Sequence, residues 1–318
     1  MASSRTARPR SAGSVQIVVT PGSGEGRALA TARRLASRLK RRGYVVDVRS
    51  FADLGALTEW AATSPPGASH VICIGGDATL SAAAAAAIRG NTPFVPVPNG
   101  FGNVFAQVFG YSAHASEVMR LLDEGEVRAV DVGVVKREAG DELFLSHRSY
   151  GFLEHIQQVA ERGRNQPRRR WLRYLYYYGV AHRFLFRTRL ASFQVAVDGT
   201  PVADDAVLVT VANVETYRGF LALTPSASPI DGLFDVFVVP RVSTAGLLLR
   251  LLRVMFRLPG RWRGVALHRG RRVTVTTPWR REDLAVRRRA LPLLVPPGAL
   301  EALSRRTVEE DDPLAQKP

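Results

Sequence analysis

Apolar residues over the first 128 positions follow two alternating rhythms, short β-branched runs and longer stretches spaced three and four apart. Val15–Thr20, Tyr44–Arg49, Val71–Ile74 and Phe94–Val97 read as strands buried within a sheet. Between them, Arg27–Arg42 places Leu29, Ala32, Leu35, Ala36 and Leu39 on one helical face, and Gly43 stands where a helix C-cap glycine belongs. Leu80–Ile88 is Ala-rich and helical with Gly90 behind it, and Val104–Phe109 opens another helix. Strand and helix in repeated order predict a parallel sheet covered on both faces, a doubly wound α/β domain over residues 14–128.

Past residue 128 the apolar period shortens to two. Val130–Val135, Phe193–Val197, Ala206–Ala212, Asp235–Val239 and Arg272–Thr277 alternate, and Asp198–Gly199 and Asp231–Gly232 are turn signals. They predict a mostly antiparallel β-sandwich domain over residues 129–306, interrupted by helical insertions at Trp171–Arg189 and Thr244–Phe256. Residues 1–13 read as a disordered basic tail and 307–318 as a short acidic one.

Composition narrows the setting. A chain of 318 residues that is 46% hydrophobic can bury a core in each of two domains. Lys and Arg number 44 against 28 Asp and Glu, a net charge of +16, part of which reflects the preference for Arg over Lys. That balance attracts a polyanion: nucleic acid, an anionic membrane surface or a phosphorylated small molecule. No nucleic-acid-binding motif accompanies the arginines, so no nucleic acid is expected. Cys73, the single cysteine, lies in the apolar run Val71–Ile74 and reads as a buried, inert thiol. The six histidines are scattered without metal-ligand spacing.

The first fourteen residues lack the apolar stretch of a secretory signal, and no apolar run reaches the ~20 residues that span a bilayer. The expectation is a cytoplasmic protein that meets membranes only peripherally. Arg168–Arg189 interleaves arginines with aromatic rings, a pattern suited to a helix at a lipid interface, with Trp171, Arg173 and Tyr174 as membrane contacts. The same apolar face equally suits a helix that covers the β domain. A homodimer is left open.

Three glycine-rich loops carry the chemistry. Thr20–Pro21–Gly22–Ser23–Gly24 follows the first strand, Gly75–Gly76–Asp77–Ala78–Thr79 the third, and Pro98–Asn99–Gly100–Phe101–Gly102–Asn103 the fourth. Adjacent glycines let backbone N–H groups approach phosphate oxygens, and a following helix N-terminus adds partial positive charge. Alone, Gly-Gly-Asp after a strand is equally what an ordinary βα turn carries. Three such loops at the carboxyl ends of parallel strands converge on one crevice. Asp77 can organise a metal or a hydroxyl, and Thr79 can cap the helix or meet phosphate. No Gly-x-x-x-x-Gly-Lys-Ser/Thr motif is present.

These loops resemble, in order, the Asn-Pro-x-Ser-Gly, Gly-Gly-Asp-Gly-Thr and Pro-x-Gly-Thr-x-Asn-Asp motifs of the diacylglycerol kinase catalytic-domain family, soluble lipid kinases related to sphingosine kinases. The matching residues are Pro21, Ser23 and Gly24; Gly75, Gly76, Asp77 and Thr79; and Pro98, Gly100 and Asn103. Asp231–Gly232–Leu233–Phe234–Asp235–Val236 resembles the family's Asp-Gly-x-Leu-Asp-Val segment, and Ser149–Tyr150–Gly151 its small-residue turn. The resemblance implies an ATP-dependent, magnesium-dependent kinase that phosphorylates a lipid hydroxyl, such as that of diacylglycerol, at an anionic membrane surface. It implies Asp77 as the catalytic carboxylate, and Thr20, Ser23, Gly24, Gly75, Gly76, Thr79, Gly100 and Asn103 around the nucleotide. Asp231 would order a metal-dependent loop. A kinase acting on NAD or another small molecule, and a catalytically weak nucleotide- or lipid-binding relative, stand as alternatives.

The chain departs from the family pattern at Thr20, Ala78, Phe101 and Val104, where the family has Asn, Gly, Thr and Asp. The family's Asp-Gly-Glu near the C-terminus, whose Asp resembles a general base, has no counterpart between residues 265 and 300. Only Glu282 and Asp283 supply carboxylates there.

Overall fold

The computed structural model describes residues 13–22, 26–63, 67–100, 102–138, 140–151, 154, 191–215, 223–242, 246, 265–277, 279–301 and 303. Ser23, Gly24, Trp171, Arg173 and Tyr174, the tails apart from Gly13, and both predicted helical insertions apart from Gly246 lie outside these residues. The chain divides into two compact units. The first comprises residues 1–100, 111–128 and 291–297, and the second residues 101–110, 129–290 and 298–318.

In the first unit, β1 (Ser14–Val19), β2 (Val45–Ser50), β3 (His70–Gly75) and β4 (Phe94–Pro98) form a parallel sheet in the order β4-β3-β1-β2. The helices are α1 (Ala28–Arg41), α2 (Leu54–Thr63), α3 (Asp77–Gly90) and, after an excursion into the second unit, α5 (Ala115–Glu124). Helix α1 stops as its sequence dictates: Gly43 takes φ +83°, and the Tyr44 N–H returns to the Leu39 carbonyl at 3.1 Å. One face of the sheet packs Val15, Ile17, Ile72 and Val95 against Leu35 and Leu39 of α1 and Val118 and Met119 of α5. Helices α2 and α3 pack together. Arg49, in register with Val18, lies over the Trp60 ring of α2, so α2 lies on the opposite face.

The sheet gains a further strand from the far end of the chain. Strand β13 (Arg281–Val295) begins in the second unit, and its last residues belong to the first. There Leu293 pairs in parallel with Phe94, and the Leu294 carbonyl accepts a hydrogen bond from the Tyr111 hydroxyl at 2.7 Å.

The second unit contains the short α4 (Val104–Val108) and most of the antiparallel strands. These are β5 (Glu126–Val135), β6 (Glu142–Phe144), β7 (His147–Gly151), β8 (Phe193–Val197), β9 (Thr200–Ala212), β10 (Phe234–Pro240), β11 (Ala266–Gly270), β12 (Arg272–Thr276) and the first part of β13. Their principal order is β11-β10-β9-β8-β12-β13, with β7 also on β9 and β5 on β13 and β6. Alternation of inward residues buries Phe144, Tyr150, Phe193, Phe234, Val236 and Val275 in one core. The α/β and antiparallel-β expectations both hold.

Candidate active site

The Gly75–Thr79 turn follows the C-terminal end of β3, whose sheet neighbours are β1 and β4, so the loops after all three strands open at one edge of the first unit. Several contacts tie them together. The Thr20 and Thr79 hydroxyl oxygens lie 3.1 Å apart and are buried. The Asn99 N–H donates to the Gly75 carbonyl at 2.9 Å. Each glycine is there for space, not for positive φ. A Cβ on Gly75 would stand 2.5 Å from the Thr79 Cβ, and one on Gly76 3.3 Å from the Gly100 Cα. Gly76 is extended, with φ −89° and ψ 179°, and α3 begins at Asp77. Ala78 therefore sits in a helical first turn, where alanine serves as well as glycine. The result is a side-chain-free turn at the N-terminus of a helix of 14 residues, with a half-buried carboxylate, Asp77, in its first turn.

The second unit holds two polar clusters. Asp131, at 1% exposure, accepts from the Gly232 N–H at 2.7 Å and from the Arg289 N–H at 2.6 Å. Asp231 accepts from the Leu233 N–H at 2.9 Å and pairs with Arg269, which also reaches Asp235 at 2.9 Å. Burial raises the Asp231 carboxyl above its ordinary range, against the Leu233 N–H and Arg269, and the nearby Asp235 and Asp131 charges push it the same way.

The other cluster centres on Glu282, which is fully buried. The Tyr150 hydroxyl donates to its Oε2 at 2.5 Å. Its Oε1 is held by charge, not by a straight hydrogen bond: Arg137 stands at 2.6 Å, Arg280 at 3.3 Å and Arg148 at 3.8 Å. Burial works to raise the carboxyl, but the Tyr150 hydroxyl and the guanidiniums win and hold it below its usual range. Asp283, on the opposite face of the strand, accepts from Thr274 at 2.6 Å and pairs with Arg281. Beside Arg148, burial pushes His147 down to about 4.

The His147 shift carries a pH prediction. An unfolded histidine takes up its proton near pH ~6.5, but folded His147 does not until pH falls to about 4. Stability is therefore complete above the unfolded value and declines as pH falls through that window, by at most about 1.4 kcal/mol per pH unit from this residue. Urea unfolding midpoints measured from pH 7 to 4 should fall more steeply for the native chain than for His147→Gln. Equal slopes would show that His147 is solvated.

The comparisons with known proteins now bear on this geometry. Residues 14–135 match the diacylglycerol kinase catalytic domain, and residues 154–287 match the YegS C-terminal NAD kinase beta sandwich-like domain. The chain thus carries a region like the diacylglycerol kinase catalytic domain followed by one like the YegS C-terminal domain.

A Mycobacterium tuberculosis protein named "Diacylglycerol kinase" is 29% identical over 249 residues, 77% of this chain and 79% of that one. A Pseudomonas putida protein named "Probable lipid kinase YegS-like" is 27% identical over 213 residues, 65% of this chain and 68% of that one. In fold, a crystal structure of a diacylglycerol kinase from Bacillus anthracis matches with a TM-score of 0.63 at 16% identity, over 90% of this chain and 98% of that one.

Of the family-motif residues, the structure brings together Thr20, Gly75, Gly76, Asp77, Thr79 and Gly100. The Thr79 hydroxyl, expected at phosphate, is buried against that of Thr20 and braces the turn. Asn103 belongs to the second unit, where it takes φ +49° as the residue before α4. Asp231, expected at a metal-dependent loop, uses its carboxylate on its own turn and on Arg269, and no cluster of three metal-ligand side chains occurs among the described residues. Sequence reasoning passed over Asp131, although it carried one signal, a lone acid inside the apolar run Ala129–Val135. Glu282 was singled out only as one of two carboxylates near the C-terminus, with nothing in its neighbours to show its burial.

Proposed function

We propose that this chain transfers the γ-phosphate of ATP to the hydroxyl of a lipid alcohol such as diacylglycerol. The observation that supports it most is the turn at Gly75 and Gly76, where a side chain would strike Thr79 or the Gly100 backbone at the start of α3. Such a surface suits a polyphosphate, since backbone N–H groups and the helix end supply positive charge at close range. Magnesium, when bound, would neutralise charge between the phosphates. It is commonly held by one or two carboxylates together with phosphate oxygens, and Asp77 fits that requirement. The Gly76 and Asp77 backbone would hold the phosphates while Thr20 and Thr79 keep the turn rigid, so that transfer proceeds by positioning and charge stabilisation. Glu282, gripped by Tyr150 and three arginines, is not free to take the acceptor proton, and Asp283 is bound to Thr274 and Arg281.

A membrane-surface location is part of the proposal. The net charge of +16 favours anionic lipid. Trp279, 73% exposed beside Arg280 and Arg281, has the side-chain chemistry of an interfacial anchor. Among the described residues no helix is long and apolar enough to cross a membrane.

Incubation of the purified chain with labelled ATP, magnesium and vesicles containing phosphatidylglycerol and diacylglycerol should yield labelled phosphatidic acid. Trp279→Ala should weaken binding to these vesicles several-fold. Label in NAD instead of lipid would favour the small-molecule reading, with which the NAD kinase-like second domain agrees. ATP binding without any labelled product would favour the catalytically weak relative.

A further inference from the structure

Strand β2 ends the sheet of the first unit, and among the described residues it pairs with β1 alone. Five of its six residues are exposed, including Val45 at 69% and Val48 at 37%. An open strand edge is a template for another strand, and proteins that keep such an edge free usually guard it with unmatched charge or proline. Here the charges are matched. Asp47 and Arg49 stand two residues apart on one face and already meet at 2.9 Å.

The hydrogen-bonding phase of the edge is also fixed. Val45 donates its N–H inward to the Gly13 carbonyl, and Phe51 donates inward to that of Val19. Strand alternation then turns the N–H and C=O groups of Val46, Val48 and Ser50 outward. A two-fold axis perpendicular to the sheet keeps each residue on its own face, so only registers that pair odd with odd and even with even are allowed. Centred on Asp47, such a pairing opposes two aspartates; centred on Arg49, two arginines. Centred on Val48, it sets Asp47 against Arg49 of the second copy, twice over. It also makes Val48 against Val48 a hydrogen-bonded pair, flanked by Val46 against Ser50, and places Val45 against Phe51.

We infer that β2 is a homodimerisation edge, joining two copies antiparallel about Val48 into one continuous sheet. The inference is independent of the catalytic reading.

The test uses charge reversal on the full chain, followed by sedimentation equilibrium from micromolar to hundred-micromolar protein. The native chain should dimerise. Asp47→Arg alone opposes arginines, and Arg49→Asp alone opposes aspartates, so each should weaken the dimer at least tenfold. An equimolar mixture of the two should recover the dimer as a heterodimer, because every cross-strand pair is again opposite in sign. Val48→Pro removes an N–H that β1 does not use; circular dichroism should show it folded, and it should be monomeric. A native chain that stays monomeric, a dimer indifferent to both reversals, or a mixture that fails to associate would each overturn the edge.

Discussion

Asp77→Ala should lose phosphoryl transfer by about a thousandfold or more while folding normally, because losing the charge-organising group of a phosphoryl-transfer site removes stabilisation made mainly in the transition state. The structural side of the expectation is small. Asp77 occupies the first turn of α3, where a carboxylate stabilises a helix by about 0.3–1 kcal/mol. The turn itself is held by Thr20 against Thr79 and by the Asn99 N–H on the Gly75 carbonyl, and the substitution touches neither. The loss should fall on kcat, with ATP still bound through the backbone of the turn. Single-turnover kinetics with calorimetric ATP titration would separate the two. Native activity in a folded Asp77→Ala protein would remove the site assignment.

Glu282→Gln should have the opposite profile, a large loss of stability with turnover per folded molecule unchanged. Removing one partner of a buried ion pair costs roughly 3–5 kcal/mol because the remaining charge stays where it is. Arg137, Arg148 and Arg280 are 30%, 28% and 39% exposed, so solvent offsets part of that cost and about 2–4 kcal/mol is expected. The interaction is complete above the unfolded glutamate value and fades as pH falls through the depressed folded one, so the native and variant proteins should converge in acid. Denaturant unfolding at pH 7 and 3.5, with activity measured well below the melting temperature, tests both halves. A collapse of kcat in a fully folded variant would return Glu282 to the chemistry.

The parts of the chain that could be read from sequence are those whose determinants are local. Gly75–Gly76–Asp77 joins a β-branched run to an Ala-rich helix within a few positions, and Gly43 ends α1 beside the residues it caps. Helix α2 escaped notice because its start depends on one side chain, Asp53, which accepts from the Ala56 N–H at 2.9 Å. Strand β13 was hidden because Arg287–Arg288–Arg289 interrupts its apolar pattern, and Arg289 takes φ +48° within it. The two polar clusters depend on distant segments. Asp131 meets Arg289 across 158 positions and Glu282 meets Tyr150 across 132, separations at which a window of sequence carries no periodicity.

Strand β13 also orders events during synthesis. A ribosome that has delivered residue 128 has made every helix of the first unit but not Leu291, Leu293 or Leu294, which are buried there at the end of β13. Until those residues emerge, Phe94 lacks its partner on the β13 side and the Tyr111 hydroxyl lacks its carbonyl. The nascent α/β half therefore waits, incomplete, while the β half is translated, and a fragment cut after residue 128 would remain in that waiting state.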